Sequence, residues 1–187
     1  MLAAYVDLKK AFDSVHRETL WDLMRLRGIP ARIIGLLLAC TSGLLSAVKC
    51  GGDVSSFFPV NTGVRQSCVL APSLFNTYMD WVLRRVVEQS HYGASVGNTE
   101  ITDFVFADDA AIFAESLEAQ EMGLEALHEE VNPLGFQVSW AKIKVQVFGG
   151  VLDEPVQSVH VCGEDIEILK NFTYLGSVVH NDCGSSQ

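Results

Sequence analysis

The sequence predicts an α+β domain: a split β-α-β, ferredoxin-like antiparallel sheet with helices on one face. Three observations predict it. Strand-like segments rich in Val, Ile, Phe and Tyr lie at both ends of the chain and flank long helical repeats. The run FVFADDAAIFA, Phe104 to Ala114, reads as two short strands turning at a pair of acids. The resulting order of strand, helices, strand-turn-strand, helix and strand is that of a split β-α-β sheet, in which the first strand lies beside the hairpin.

Each element has a local reason. Ala3 to Leu8 is a short strand candidate that runs into Asp7. Arg17 to Arg27 places Leu20, Leu23 and Met24 at helical spacing, and Gly28 with Pro30 stops the helix. Pro30 is tolerated in a first turn and opens a second helix to about Cys40. Within it starts the longest uncharged apolar window, Ile33 to Val48, at 16 residues short of a bilayer span and predicted as a buried helix followed by a turn. Leu44 to Cys50 and Ser55 to Val60 form a hairpin around GGD. Pro72 to Glu88 is a helix with a stripe from Leu74, Phe75, Tyr78, Trp81 and Val82. After the Phe104 to Ala114 hairpin, Ser116 caps a helix carrying Leu117, Met122, Leu124, Leu127 and Val131, which Pro133 and Gly135 end. Gln137 to Phe148, Gln157 to Ile168 with a turn near Gly163, and Phe172 to Val179 read as strands. Residues 1–150 are expected to form the main body, with 151–187 a C-terminal hairpin region of the same domain.

With 187 residues and 49% hydrophobic content, the chain is long and apolar enough for a well-buried core. No secretory signal or membrane span is evident, and five cysteines without CxxC spacing argue against a disulfide framework and a zinc site. These features fit an intracellular location, in nucleus or cytoplasm, away from membranes. Thirteen basic residues against 23 acidic ones give a net charge of −10, which by itself disfavours a protein that grips phosphate over its whole surface. The histidines, His16, His91, His128, His160 and His180, have no ligand spacing and are expected to be structural.

An Asp-Asp pair alone says little, since 11 Asp in 187 residues give about 0.6 adjacent pairs by chance. The fold changes its weight. If the first strand lies beside the hairpin, Asp7 approaches Asp108 and Asp109, and three such carboxylates repel one another unless a hard divalent cation neutralises them. Two metals shared by such acids can clamp the attacking and leaving oxygens of a phosphoryl transfer. Asp13, in AFD, is expected to cap the helix near Ser14 or hold a turn, and Asp103 to face solvent.

Five blocks in order, AYVDLKKAFDSVHR (4–17), NTGVRQSCVLAPSLFN (61–76), FADDAAIFAESLE (106–118), LGFQVSWAKIKVQVFG (134–149) and FTYLGSVV (172–179), resemble the reverse transcriptase domain of non-LTR (LINE-type) retrotransposons. The resemblance implies a polymerase palm with partial fingers and RNA-directed DNA synthesis, joining a dNTP to a primer 3′-hydroxyl. It implies metal-binding, catalytic roles for Asp7, Asp108 and Asp109, with two Mg²⁺ ions or Mn²⁺ as their substitute. Phe12 resembles the aromatic that packs on the nucleotide sugar; read alone it is a core aromatic. Arg65 and Gln66 resemble residues of the loop that contacts nucleotide and template. Lys142 resembles the lysine that protonates the pyrophosphate; read alone it is a solvated strand-end lysine. Phe172, Tyr174, Leu175 and Gly176 resemble the primer grip.

The partners so implied are an RNA template, a DNA primer and a dNTP. Ser67 stands where the family carries glycine, and Ile143 where it carries a polar residue. Relative to that family the chain is expected to lack much of the fingers, the thumb and the endonuclease, which accounts for its acidic balance. Three other readings stand beside this one: an inactive remnant that only folds, a nucleotidyl cyclase using similar acids, and a pure binding module.

Overall fold

The computed structural model describes residues 1–65, 68–149 and 156–181. In chain order it contains β1 (Leu2–Val6), α1 (Ala11–Ser14), α2 (Arg17–Leu26) and α3 (Ala31–Thr41). Then come β2 (Leu45–Ser46), β3 (Lys49–Cys50), β4 (Asp53–Val54), β5 (Phe58–Pro59) and the long α4 (Ala71–Ser90). Next are β6 (Ala94–Val96), β7 (Thr99–Ile101), β8 (Asp103–Phe106), β9 (Asp109–Ala114) and α5 (Leu117–Val131). The chain finishes with β10 (Lys144–Val147), β11 (Ser158–Val161), β12 (Glu164–Leu169), β13 (Asn171–Tyr174) and β14 (Ser177–His180). It packs as two units, Lys10–Tyr78 and the combination of Met1–Lys9 with Met79–Gln187.

The larger unit is organised by a six-stranded sheet in the order β11-β12-β10-β1-β9-β8. It is antiparallel except between β10 and β12. β1 is central and buried along its whole length, which a strand of only Leu, Ala, Tyr and Val can satisfy. Alternation sorts its side chains, Ala3 and Tyr5 to one face and Leu2, Ala4 and Val6 to the other. Ala3, Tyr5, Ala111 and Phe113 form one cluster, against which Phe172 and Tyr174 of the β13–β14 ribbon pack. Helix α5 lies on β1, β9 and β11. Ser116 starts it as expected, its Oγ accepting from the Ala119 N–H.

Arg85 and Gln89 of α4 both hold Glu130 of α5, and Arg85 also lies over the Trp81 ring. Gly123 of α5 lets the Tyr92 ring pack closely: a Cβ there would meet it at 3.3 Å, tight enough that the ring would have to shift.

In the smaller unit, α2 buries Leu20, Trp21, Leu23 and Met24, the face its spacing predicts. The nested hairpin around GGD forms as β2–β5 and β3–β4. Its loops are tied by Arg17, which donates to four carbonyls: Gly63 (2.8 Å), Val60 (2.9 Å), Thr41 (3.0 Å) and Thr62 (3.1 Å).

Three expectations need correction. The Ile33 to Val48 segment does begin as a helix, but only Ile34 of α3 is buried, while Ile33, Leu36 and Leu38 are 47%, 62% and 38% exposed. Hydropathy measures composition, and burial also needs a partner surface. Asp13 caps nothing; it lies within α1 and is exposed. Gln137 to Phe148 is not one strand, because Trp140–Lys142 forms a 3₁₀ turn before β10 begins. Phe172 to Val179 forms the expected hairpin, folded back at Leu175–Gly176. Both turn residues have positive φ, 49° and 82°, as a type I′ turn requires; only the glycine adopts it freely. Among the described residues no helix is long and apolar enough to cross a membrane.

Candidate active site

The expected meeting of Asp7 with the acidic hairpin follows from strand register. Val6 pairs with Ala110 and Tyr5 with Ala111, so Asp7 and Asp109 are the next residues out on neighbouring strands. Asp109 also pairs with Phe106 across the hairpin, leaving Ala107 and Asp108 as a two-residue turn. Ala107 takes a φ of 56°, a conformation that costs an alanine energy and is concentrated at functional sites. Counting by twos along each strand puts Asp7 with Ala3 and Tyr5, and Asp109 with Ala111 and Phe113. The acids therefore crown the ribbon-covered face.

Lys142 reaches the same point from a third element. Ser139 donates its N–H to the Asp7 carbonyl at 2.9 Å, and the 3₁₀ turn that follows brings Lys142 back over the strand end. Its Nζ lies 3.2 Å from both Asp7 carboxylate oxygens, donating a hydrogen bond to Oδ1 and only ion-pairing with Oδ2. Asp7 Oδ2 is buried and takes no hydrogen bond. Partial screening from water, then the charges of Asp108 and Asp7, raise the Asp109 pKa above the ordinary carboxylate range; Lys142 works against them. Burial is the larger cause, and the neighbouring like charges add to it.

Asp7, Asp109 and Lys142 line a cavity of about 240 Å³ with Tyr5, Phe172, Thr173, Tyr174 and Leu175. The ribbon and the acids thus share one pocket. Tyr5 stacks on Phe172 with ring centroids 4.3 Å apart and meets Tyr174 at 5.2 Å. Burial raises the Tyr5 pKa to about 12 and, with the charge of Asp109, raises that of Tyr174. Asp108 sits exposed on the turn, outside the cavity lining.

Among the described residues no three carboxylate, histidine or cysteine side chains converge closely enough to hold an ion as they stand; Asp7 is engaged by Lys142 instead. In kind the residues nevertheless fit a divalent cation: hard oxygen donors, one of them buried without a hydrogen bond, with mutual repulsion to be relieved.

Phe12 and Arg65 belong to the smaller unit. Phe12 is half-buried and stacks on Phe75 at 4.6 Å. Gly63 lies against it: the Gly63 and Val64 N–H groups donate to Val15 and Phe12 carbonyls at 2.8 Å. With φ at +79° and Asp13 Cα 2.8 Å from where a Cβ would be, glycine alone fits there, and the loop leads directly to Arg65. Gln66 and Ser67 lie outside the described residues. Asp103 is half-buried and accepts from the Thr102 hydroxyl at 2.8 Å. His160 pairs with Asp165 on the surface, and His128 lies beside Trp140.

Sequence reasoning missed Tyr5, Gln146 and Arg17. Tyr5 could have been found, because a tyrosine two residues before Asp7 shares its face of the strand. The other two carry no sequence signal.

Sheet, acidic hairpin and lysine come together at one candidate site, and comparison with known proteins shows the family the chain belongs to. The model of the family "Reverse transcriptase (RNA-dependent DNA polymerase)" matches residues 2–179, and the chain belongs to this family. It is 30% identical over 199 residues to the Pol polyprotein of the type-1 retrotransposable element R2 of Nasonia vitripennis, covering 98% of this chain and 18% of that protein. It is 36% identical over 124 residues to the Pol polyprotein of the element R2DM of Drosophila melanogaster, covering 66% of this chain and 11% of that protein. The chain therefore spans less than a fifth of these relatives. Among solved structures it is similar to apo telomerase of Candida tropicalis, with a TM-score of 0.65 and 13% identity over 99% of this chain and 35% of that one, a likeness of fold. The resemblance drawn from the five sequence blocks is borne out, as is the palm-type α+β fold. Reverse transcriptases depend in general on divalent metal.

Proposed function

We propose that the chain is the catalytic palm of a longer non-LTR retrotransposon polymerase, performing RNA-directed DNA synthesis with Mg²⁺, or with Mn²⁺ in its place. The observation that carries this reading is the register that sets Asp7 beside Asp109, with Lys142 3.2 Å from Asp7. Asp7, Asp108 and Asp109 would hold two ions; when bound, these supply positive charge to the primer 3′-oxygen and the nucleotide phosphates. The primer 3′-hydroxyl loses its proton to solvent, its oxygen bonds to the α-phosphorus, and the bond from that phosphorus to the β-phosphate oxygen breaks, so that pyrophosphate leaves. Lys142 gives it a proton from Nζ, a role suited to an exposed, mobile ammonium. Phe12 packs against the incoming sugar, while Arg65 and Gln66 contact nucleotide and template. Phe172, Tyr174, Leu175 and Gly176 hold the primer end beside the acids, a placement that the shared cavity supports. Residues 1–150 supply the catalytic body and 151–187 the ribbon region, and the reaction takes place inside the cell, in nucleus or cytoplasm.

Extension of a labelled DNA primer on an RNA template, with dNTPs and Mg²⁺ or Mn²⁺, tests the proposal. The wild-type chain is expected to extend the primer and Asp108→Asn is not. Extension that survives Asp108→Asn would refute the site, and none from the wild type would favour an inactive remnant.

A further inference from the structure

The β13–β14 ribbon pairs with itself and not with the six-stranded sheet, whose edge strands are β11 and β8. Something else must set its position over the acids. Gln146, on β10, is wholly buried, opposite Ala3 and hence on the ribbon-covered face. Its side-chain oxygen accepts from Tyr5 Oη at 2.9 Å. Its Nε2 donates to two carbonyls at the ribbon's base, Lys170 at 3.0 Å and Val179 at 2.9 Å. Lys170 also accepts from the Asn181 N–H at 3.1 Å, so Gln146 is bonded where the two ribbon strands close. Val179 pairs with Phe172, whose ring stacks on the same Tyr5 that Gln146 holds.

An amide is the group that meets these demands. It accepts from a hydroxyl with one end and donates twice with the other, which a carboxylate, an ammonium or an aliphatic chain of that size cannot do. Burying a polar side chain in the middle of a sheet is costly unless its bonds are made, and here both amide N–H bonds go to the base of the ribbon while the carbonyl accepts from Tyr5 of β1.

We propose that Gln146 is a positioning residue: it fixes the β13–β14 ribbon, through Lys170, Val179 and Tyr5, at the height that places the primer terminus beside Asp7 and Asp109. This rests on the polymerase reading above. Gln146 touches no reacting group and acts through the ribbon.

The test compares wild type, Gln146→Leu and a control, Val145→Ala, which removes buried volume on the same strand from the opposite face. Hydrogen exchange of the backbone amides is measured with no substrate present, so this arm does not depend on polymerase activity. Gln146→Leu is expected to speed exchange across 171–180 by about tenfold, as loss of two hydrogen bonds implies, with β1 and β9 unchanged; Val145→Ala leaves the ribbon as it was. Binding of a fluorescent primer–template is measured by anisotropy, and extension kinetics where extension occurs. Gln146→Leu is expected to weaken primer–template binding about tenfold and to leave the KM for dNTP alone. Unchanged ribbon exchange overturns the proposal, and so does a loosened ribbon with unchanged primer–template affinity, which would make Gln146 merely structural. Absence of extension from wild type, with the exchange and binding differences present, would instead remove the polymerase reading and leave the strut.

Discussion

Lys142 Nζ stands 3.2 Å from both carboxylate oxygens of Asp7, although 135 residues separate them. The pair is too exposed to add much stability, about 0–1 kcal/mol. On the proposed function, its value lies in holding a proton donor at the site. Lys142→Ala is expected to leave the melting temperature within a degree or two and to lower the single-turnover rate of nucleotide addition by about a hundredfold, with primer–template affinity unchanged. Rapid-quench kinetics check this.

Asp109 is held less ionised than a free carboxylate by partial burial and then by the charges of Asp108 and Asp7. Its pKa is raised in the folded chain, so folding favours the protonated form and ionisation opposes it. Below the ordinary value of 3.8 both states are protonated and the group is neutral to stability. As pH rises through the raised value, the penalty appears in full. Without divalent metal, Asp109→Asn should therefore melt higher than wild type at pH 7, and the gap should close as pH falls towards 3.8. Thermal melts in chelator at several pH values measure it.

Glu130 has the opposite sign. Arg85, at 2.6 and 3.1 Å, and Gln89 hold its carboxylate ionised and lower its pKa below the usual 4.5. The stability it gives is present above pH 4.5 and is lost as pH falls through the lowered value. Glu130→Gln should accordingly be less stable than wild type at neutral pH and converge with it in acid, as seen by denaturant titration.

Arg17 is a clamp that no other side chain reproduces. One guanidinium satisfies the carbonyls of Thr41, Val60, Thr62 and Gly63. Lysine offers a point charge without the planar fork. Arg17→Lys is expected to cost roughly 2–3 kcal/mol and to raise hydrogen exchange selectively in 41–63.

Much of the site was legible because it depends on local pattern. Apolar runs on both sides of Asp108–Asp109 mark a hairpin, and strand alternation then fixes which residues share a face with Asp7. What could not be read depends on distant partners. Gln146 lies in KVQV, where a half-buried strand would turn a glutamine to water; its burial follows from a ribbon that begins 25 residues later. Arg17, in HRETL, reads as an ordinary helix-surface charge, and its acceptors are 24 to 46 residues away. The exposure of α3 is hidden for the same reason, since a string of Ile and Leu carries no record of what covers it. Nor does the sequence reveal that Ala107 turns with positive φ.

The central claim, that Asp7, Asp108 and Asp109 act together on divalent cations, is tested most directly by counting them. Electron paramagnetic resonance titration with Mn²⁺, in the presence of primer–template and a non-reactive dNTP analogue, reports ions bound per chain. Two are expected for the wild type, with loss of at least one in Asp7→Asn and again in Asp109→Asn. The same number, bound equally tightly, in all three proteins would contradict the account.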